Sequence, residues 1–174
     1  MTVIVKSKTD EKFKDRWATQ PDTVQDAQHL FGRPLTFDVC AEPSTAKFKD
    51  YFTKEDDALS RGWSDGYWCN PPFTQKKLFI DHAKANAIKG VSGMMLLPYE
   101  PLSKWWRERV KPHASIVYRP NGRISFIHPD TGLVMKDVTF GSALVLWTPH
   151  SNGGECLELS YEQGVHLAVG KTPL

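Results

Sequence analysis

Short apolar runs alternate with helical patterns along this chain. Val24, Ala27, Leu30 and Phe31 recur at helical spacing and Gly32 supplies a stop. Asp22-Thr23-Val24-Gln25 ahead of them has the form of a capping box, an acid at the N-cap and Gln at N3, so the pattern predicts a helix over 23–31. Leu35 to Ala41 reads as a buried strand that ends near an acid, Tyr51 to Thr53 as a weak second strand, and Tyr67 to Cys69 as a third. Residues 75–89 place Leu78, Phe79, Ala83 and Ala87 on one helical face before Gly90. Val91 to Leu97 reads as a buried strand closed by Pro98, Pro101 to Val110 as a helix, and Ala114 to Tyr118 as a strand. Asn121-Gly122 marks a tight turn, Ile124 to Phe126 resumes extended chain, residues 128–132 form a loop, and Phe140 to Trp147 is a late strand. From Pro149 onward the pattern is weak, with one strand expected over 165–169.

Strands that alternate with helices predict an α/β fold, a mostly parallel sheet with helices on its faces. The hairpin-like end predicts antiparallel strands added at one edge. Only 32 positions separate Asp38 from Asn70, so the helix between the first strands must be short or absent. Residues 1–16 are polar apart from Val3-Ile4-Val5 and read as a flexible arm; residues 17–174 read as one domain. Ligands of such sheets bind at the carboxyl ends of strands, where Asp38 and Asn70 both fall.

Composition narrows this picture only slightly. The chain has 174 residues, 40% of them hydrophobic and 24% charged, enough for an ordinary core. A net charge of +2 permits nucleic acid as a partner without arguing for it. Cys40, Cys69 and Cys156 are far apart, and no CxxC pair or His/Cys cluster points to zinc or a disulfide framework. A reduced, cytoplasmic setting is expected, with no metal and no membrane. Trp105 and Trp106, adjacent on a predicted helix, read as packing residues, and Met94 and Met95 as core. His29 and His82 read as surface, and Asp56 as part of a solvated acidic loop.

The stretch GYWCNPPF, residues 66–73, carries the candidate chemistry. Each proline fixes its φ, removes an N–H donor and extends the residue before it. The Asn70 side chain and the Pro71 carbonyl then form a fixed pair of acceptors, suited to the two N–H bonds of an exocyclic amine. Phe73 offers a stacking face for the heterocycle that carries the amine. Asn-Pro also favours turns, so a strand-ending loop with no chemistry reads the same way.

Asn70-Pro71-Pro72-Phe73 resembles the D/N/S-P-P-Y/F/W motif of amino-methyltransferases. With WATQP at 17–21, FDVCA at 37–41, YFTKEDDAL at 51–59, Trp63 and NGRISF at 121–126, the chain is similar over about residues 17–148 to the small phage-type DNA N-6-adenine methyltransferases, the Dam-like family. The resemblance implies a Rossmann-like fold, S-adenosylmethionine as cofactor, and double-stranded DNA as substrate, with the target adenine flipped out of the duplex. It implies that Asn70, Pro71, Pro72 and Phe73 form the catalytic corner. Trp17, Thr19 and Pro21 match the opening W-x-T-P, with Gln20 interrupting the usual Thr-Pro pair; Asp38 and Ala41 match D-x-x-A; and Asp57 matches the acid of D-G-L, with Ala58 in place of Gly. These would bind the cofactor. Arg123, from G-R-I-x-F, and Lys76 would face substrate. No glycine-rich turn follows Phe37, so cofactor binding follows from the resemblance alone. N4-cytosine or protein-glutamine methylation stands as an alternative, as does an inactive DNA- or cofactor-binding module. With no separate recognition domain, readout would come from loops near 99–112 and 119–137, and a homodimer would add contacts. Protection of phage DNA from host restriction is the purpose the resemblance suggests.

Overall fold

The computed structural model describes residues 14–136, 138–149 and 154–165. A seven-stranded sheet forms the centre. Its strands are β2 (Phe37–Asp38), β3 (Asp50–Tyr51), β4 (Tyr67–Cys69), β5 (Gly93–Pro98), β6 (Ile116–Pro120), β9 (Ser142–Trp147) and β10 (Leu157–Tyr161), in the spatial order β10-β6-β9-β5-β4-β2-β3. β3, β2, β4 and β5 run parallel, as do β6 and β10; β9 is antiparallel to both β5 and β6. The architecture is the α/β, Rossmann-like one expected, with its antiparallel strand wedged between two others and not outermost. A second, three-stranded antiparallel sheet joins β1 (Ala18–Thr19), β7 (Phe126–Ile127) and β8 (Val134–Met135).

Period-2 alternation divides the core between the two faces of the large sheet. Tyr67, Cys69, Met95, Leu97, Val145 and Trp147 face one side, where they meet Phe79, Ile80 and Ala83 of helix α2 (Lys76–Ile88). Trp68, Met94, Leu96 and Leu144 face the other, against Val24 and Ala27 of helix α1 (Pro21–Phe31). All six residues of β5 are buried, which fits a central strand covered on both faces.

The helices depart from the pattern in informative ways. α1 begins two residues earlier than the spacing suggests, with Pro21 at its first position and Gln20 as N-cap. Proline lacks the N–H that a helix start leaves unpaired, so it takes over the boundary from the Asp22 capping box. On α2 the buried face is Phe79, Ile80, Ala83, Asn86 and Ala87, whereas Leu78 is 54% exposed. Buried Asn86 is satisfied: its Oδ1 accepts the Trp63 N–H and its Nδ2 donates to the His82 carbonyl. Between Pro101 and Val110 a turn leads into a helix whose residues Trp106–Val110 are π-helical. Trp105 and Trp106 are buried there, as packing residues should be, and Met94 and Met95 are fully inside.

Between β2 and β4 there is no α-helix, only the 3-10 turns Lys54–Asp56 and Ala58–Ser60. Asp56 is more than solvated charge: it accepts the N–H and hydroxyl of Thr53. β10 was not evident from the weak tail pattern. The strand expected over 165–169 lies outside the described residues except for Val165, and residues 1–13 of the expected arm also lie outside them. The end of that arm is tied down: Arg16 pairs with Glu42 and Asp130. Among the described residues, no helix is long and apolar enough to cross a membrane.

Candidate active site at the Asn-Pro-Pro-Phe corner

β4 delivers the corner to the carboxyl rim of the sheet. Tyr67, Trp68 and Cys69 are all buried, and Asn70 emerges half-buried where the prolines end the ladder. Phe73 opens a 3-10 turn, Phe73–Gln75, that runs into α2. The corner is fastened from the chain's beginning. Asn70 Nδ2 donates to the Trp17 carbonyl at 3.2 Å, which leaves Oδ1 free of protein partners among the described residues. Thr74 donates its N–H to Asp15 Oδ1 at 2.9 Å and its hydroxyl to Asp15 Oδ2 at 2.6 Å.

A cleft opens beside this corner, lined among others by Asn70, Pro71, Phe73, Leu96, Pro98, Phe126, Phe140 and Ser142. Lys14, Trp17 and Lys76 also line it. Its free volume, about 30 Å³, holds water but no purine. Lys14 Nζ lies 5.0 Å and Lys76 Nζ 4.3 Å from the Phe73 ring centroid, both within cation–π range. Trp17 stacks on Phe140, centroids 5.8 Å apart. A base stacking on Phe73 must displace an ammonium and shift the arm. Two polar atoms of the cleft walls are buried without a partner among the described residues: Trp17 Nε1 and Ser142 Oγ.

Asp38 ends the neighbouring strand β2 and is 2% exposed. Its carboxylate accepts the Cys40 N–H at 3.2 Å and the Lys47 N–H at 3.1 Å, so it anchors the loop that covers it. Burial pushes its pKa up to about 6, opposed by those two N–H groups and by the Lys47 charge. Behind the rim, Cys40 Sγ and Cys69 Sγ are 3.9 Å apart, and burial holds the Cys69 thiol well above its usual range.

The other sequence-derived residues scatter more widely. Thr19 is buried in β1, Ala41 is buried with its N–H donated to the Phe52 carbonyl, and Pro21 is exposed at the helix start. Asp57 is exposed at φ 51°, the only non-glycine with positive φ among the described residues. The left-handed turn thus falls on Asp57 itself and Ala58 is helical, which explains why Ala58 needs no glycine. Arg123 is exposed and donates to the Val138 carbonyl, tying one rim loop to the next. Asp15, Phe126, Phe140 and Ser142 were missed in the sequence. Of these, only Ser142 had a readable signal, a hydroxyl in the otherwise apolar run SALVLW. Among the described residues no cluster of His, Cys, Asp or Glu could hold a metal ion.

A mostly parallel sheet with Asn-Pro-Pro-Phe leaving the end of a central strand is the arrangement of a Rossmann-like methyltransferase. A family model described as DNA N-6-adenine-methyltransferase (Dam) matches residues 6–167. The DNA N-6-adenine-methyltransferase of Haemophilus phage HP1 (strain HP1c1) is 31% identical over 161 residues, covering 91% of this chain and 92% of that protein. The DNA N-6-adenine-methyltransferase of Escherichia phage T1 is 22% identical over 154 residues, 79% of this chain and 64% of that protein. The chain belongs to the Dam family of DNA N-6-adenine-methyltransferases.

Proposed function

We propose that this enzyme transfers a methyl group from S-adenosylmethionine to N6 of adenine in DNA, with Asn70, the Pro71 carbonyl and Phe73 as the parts that touch the base. The observation that carries this reading is the hydrogen bond from Asn70 Nδ2 to the Trp17 carbonyl. It fixes the amide so that Oδ1 is the end left for a ligand. Oδ1 and the Pro71 carbonyl accept the two N–H bonds of the amine, which draws its lone pair out of conjugation with the ring. Pro72 stiffens the corner and Phe73 stacks on the base.

The chain's residues fit the cofactor in two respects. Asp38 is an acid at the adjacent strand end, suited to an amino-acid ammonium. Trp17 brings a buried indole N–H that lacks a partner. When bound, S-adenosylmethionine supplies an electrophilic methyl group. Thr19, Pro21, Ala41 and Asp57 complete the proposed cofactor side, although Pro21 and Asp57 also have purely structural reasons to be where they are. Lys76 and Arg123 are proposed to meet the DNA backbone. A target adenine reaches the cleft only out of the stack.

The test is transfer of a labelled methyl group, with DNA and protein acceptors compared and the DNA digested to nucleosides. Label in N6-methyladenine is expected, and label on cytosine or on glutamine side chains would overturn the assignment. Asn70→Ala should lower kcat by about 100-fold or more, the scale of losing a placed catalytic contact. Cofactor binding measured by calorimetry should persist in that variant.

A further inference from the structure

Ser142 opens β9 at the rim where the corner sits. Because β9 runs antiparallel to β5, its amino end meets the carboxyl end of β5, and Ser142 pairs with Pro98. Alternation places Ser142 on the Leu144 face of the sheet, the face that also carries Trp68 and Leu96. Asn70 follows β4 in that same alternation, so Asn70 and Ser142 face one cleft from strands two positions apart, about 10 Å across the sheet, with Ser142 two residues further along it. The Ser142 side chain is 2% exposed and its hydroxyl has no partner among the described residues.

A buried hydroxyl left unpaired destabilises the fold, and alanine would suit the strand without that penalty. Among the buried groups without a partner in the described residues, this hydroxyl lies in the wall of the cleft beside the proposed clamp. An amine clamp alone cannot distinguish adenine from cytosine, since both carry an exocyclic amine. We propose that Ser142 is a specificity-determining contact whose hydroxyl donates to a ring nitrogen on the far side of the target purine, opposite the amine held at Asn70. The amine and that nitrogen lie across the six-membered ring, so a hydrogen bond of about 3 Å at each end lets the base bridge side chains from two strands so placed. A cytosine held at Asn70 presents its glycosidic N1 at that place, which has no free lone pair, and leaves the hydroxyl without a ring-nitrogen acceptor, the condition under which a polar site rejects an analogue. This inference rests on the clamp reading of Asn70.

The experiment compares native enzyme and Ser142→Ala on duplexes carrying adenine, 3-deazaadenine or 7-deazaadenine at the target position. Ser142→Ala should lose about 10- to 100-fold in kcat/KM on adenine. On the one analogue that lacks the contacted nitrogen, native enzyme and variant should be equally slow, the signature of coupling in a double-mutant cycle. The Tm of Ser142→Ala should match or exceed that of the native chain. An equal loss on all three bases, no loss on adenine, or a lowered Tm would each overturn the proposal, the last because it would show that the hydroxyl pairs within the protein. If native enzyme labels no adenine at all, the clamp reading itself fails. If it labels adenine and Ser142→Ala does so equally well, only the role of Ser142 falls.

Discussion

At Asp38 one carboxylate has two demands on it. Its oxygens hold the Cys40 and Lys47 N–H groups, and burial lifts its pKa from 3.8 to about 6. Since the folded-state pKa lies above the unfolded one, the folded chain binds more protons between those values. Stability from this group is therefore full below about pH 4 and falls as pH rises to about 6, by about 3 kcal/mol if the whole shift acts on folding. Urea unfolding at pH 4 to 7 should show this downward slope in the native chain relative to Asp38→Asn, which has no carboxylate to ionise. A difference that is flat across the window would mean that the carboxylate is hydrated. On the proposed cofactor-binding role of Asp38, kcat/KM for the cofactor should rise with pH in the same range, as the carboxylate gains the charge that an ammonium requires. The acid at a strand end was legible in FDVCA. The loop that covers it was not, because backbone donors nine residues away leave no mark in side-chain pattern.

The elements that aim the corner depend on close packing between β4 and β5. The Tyr67 ring lies directly over Gly93, and a Cβ added there would meet it at 2.5 Å. Tyr67 is fully buried, so the ring has little room to move aside. Gly93→Ala should cost about 1–3 kcal/mol by overpacking, read as a lower urea midpoint, and should lower activity by displacing Asn70. Unchanged stability would show that the ring swings clear. β5 and β9 could be read from continuous apolar runs, since both are buried on two faces. β2 and β3 could only be read as longer than they are, because the apolar residues beyond their two-residue ladders continue into the core as irregular chain. The insertion of β9 between β5 and β6 was hidden because it depends on pairing between distant segments, which hydrophobic period does not encode.

At the scale of the whole molecule, the cleft is assembled from residues as far apart as Lys14 and Ser142, so its walls became evident only once the sheet order was known. The NPPF corner itself was legible because its chemistry is contained in four consecutive residues. With the clamp as proposed, DNA approaches along the same carboxyl rim. The segment after β5 presents Leu102 at 90% exposure, a Lys104 side chain at 80% and an exposed Arg107, with Lys104 only loosely paired to Glu108 at 3.8 Å. An exposed ion pair of that length holds its lysine weakly, so both cations can reach phosphates. Lys104→Ala and Arg107→Ala should each weaken DNA binding uniformly across sequences and reduce the slope of log affinity against log salt by about 1. A slope unchanged in both variants would place the duplex on another face.

The bond from Asn70 to the Trp17 carbonyl also narrows which sequences can work at the corner. The resembling motif admits Asp, Asn or Ser at its first position, as if the three were synonyms. In this chain the Trp17 carbonyl supplies an acceptor 3.2 Å away, so residue 70 has to donate on one side while accepting on the other. An aspartate of the same shape would set two oxygens against each other. A serine has too short a side chain to reach the carbonyl and the base together. Any residue at position 17 supplies that carbonyl, so the constraint falls on the side chain at position 70 alone.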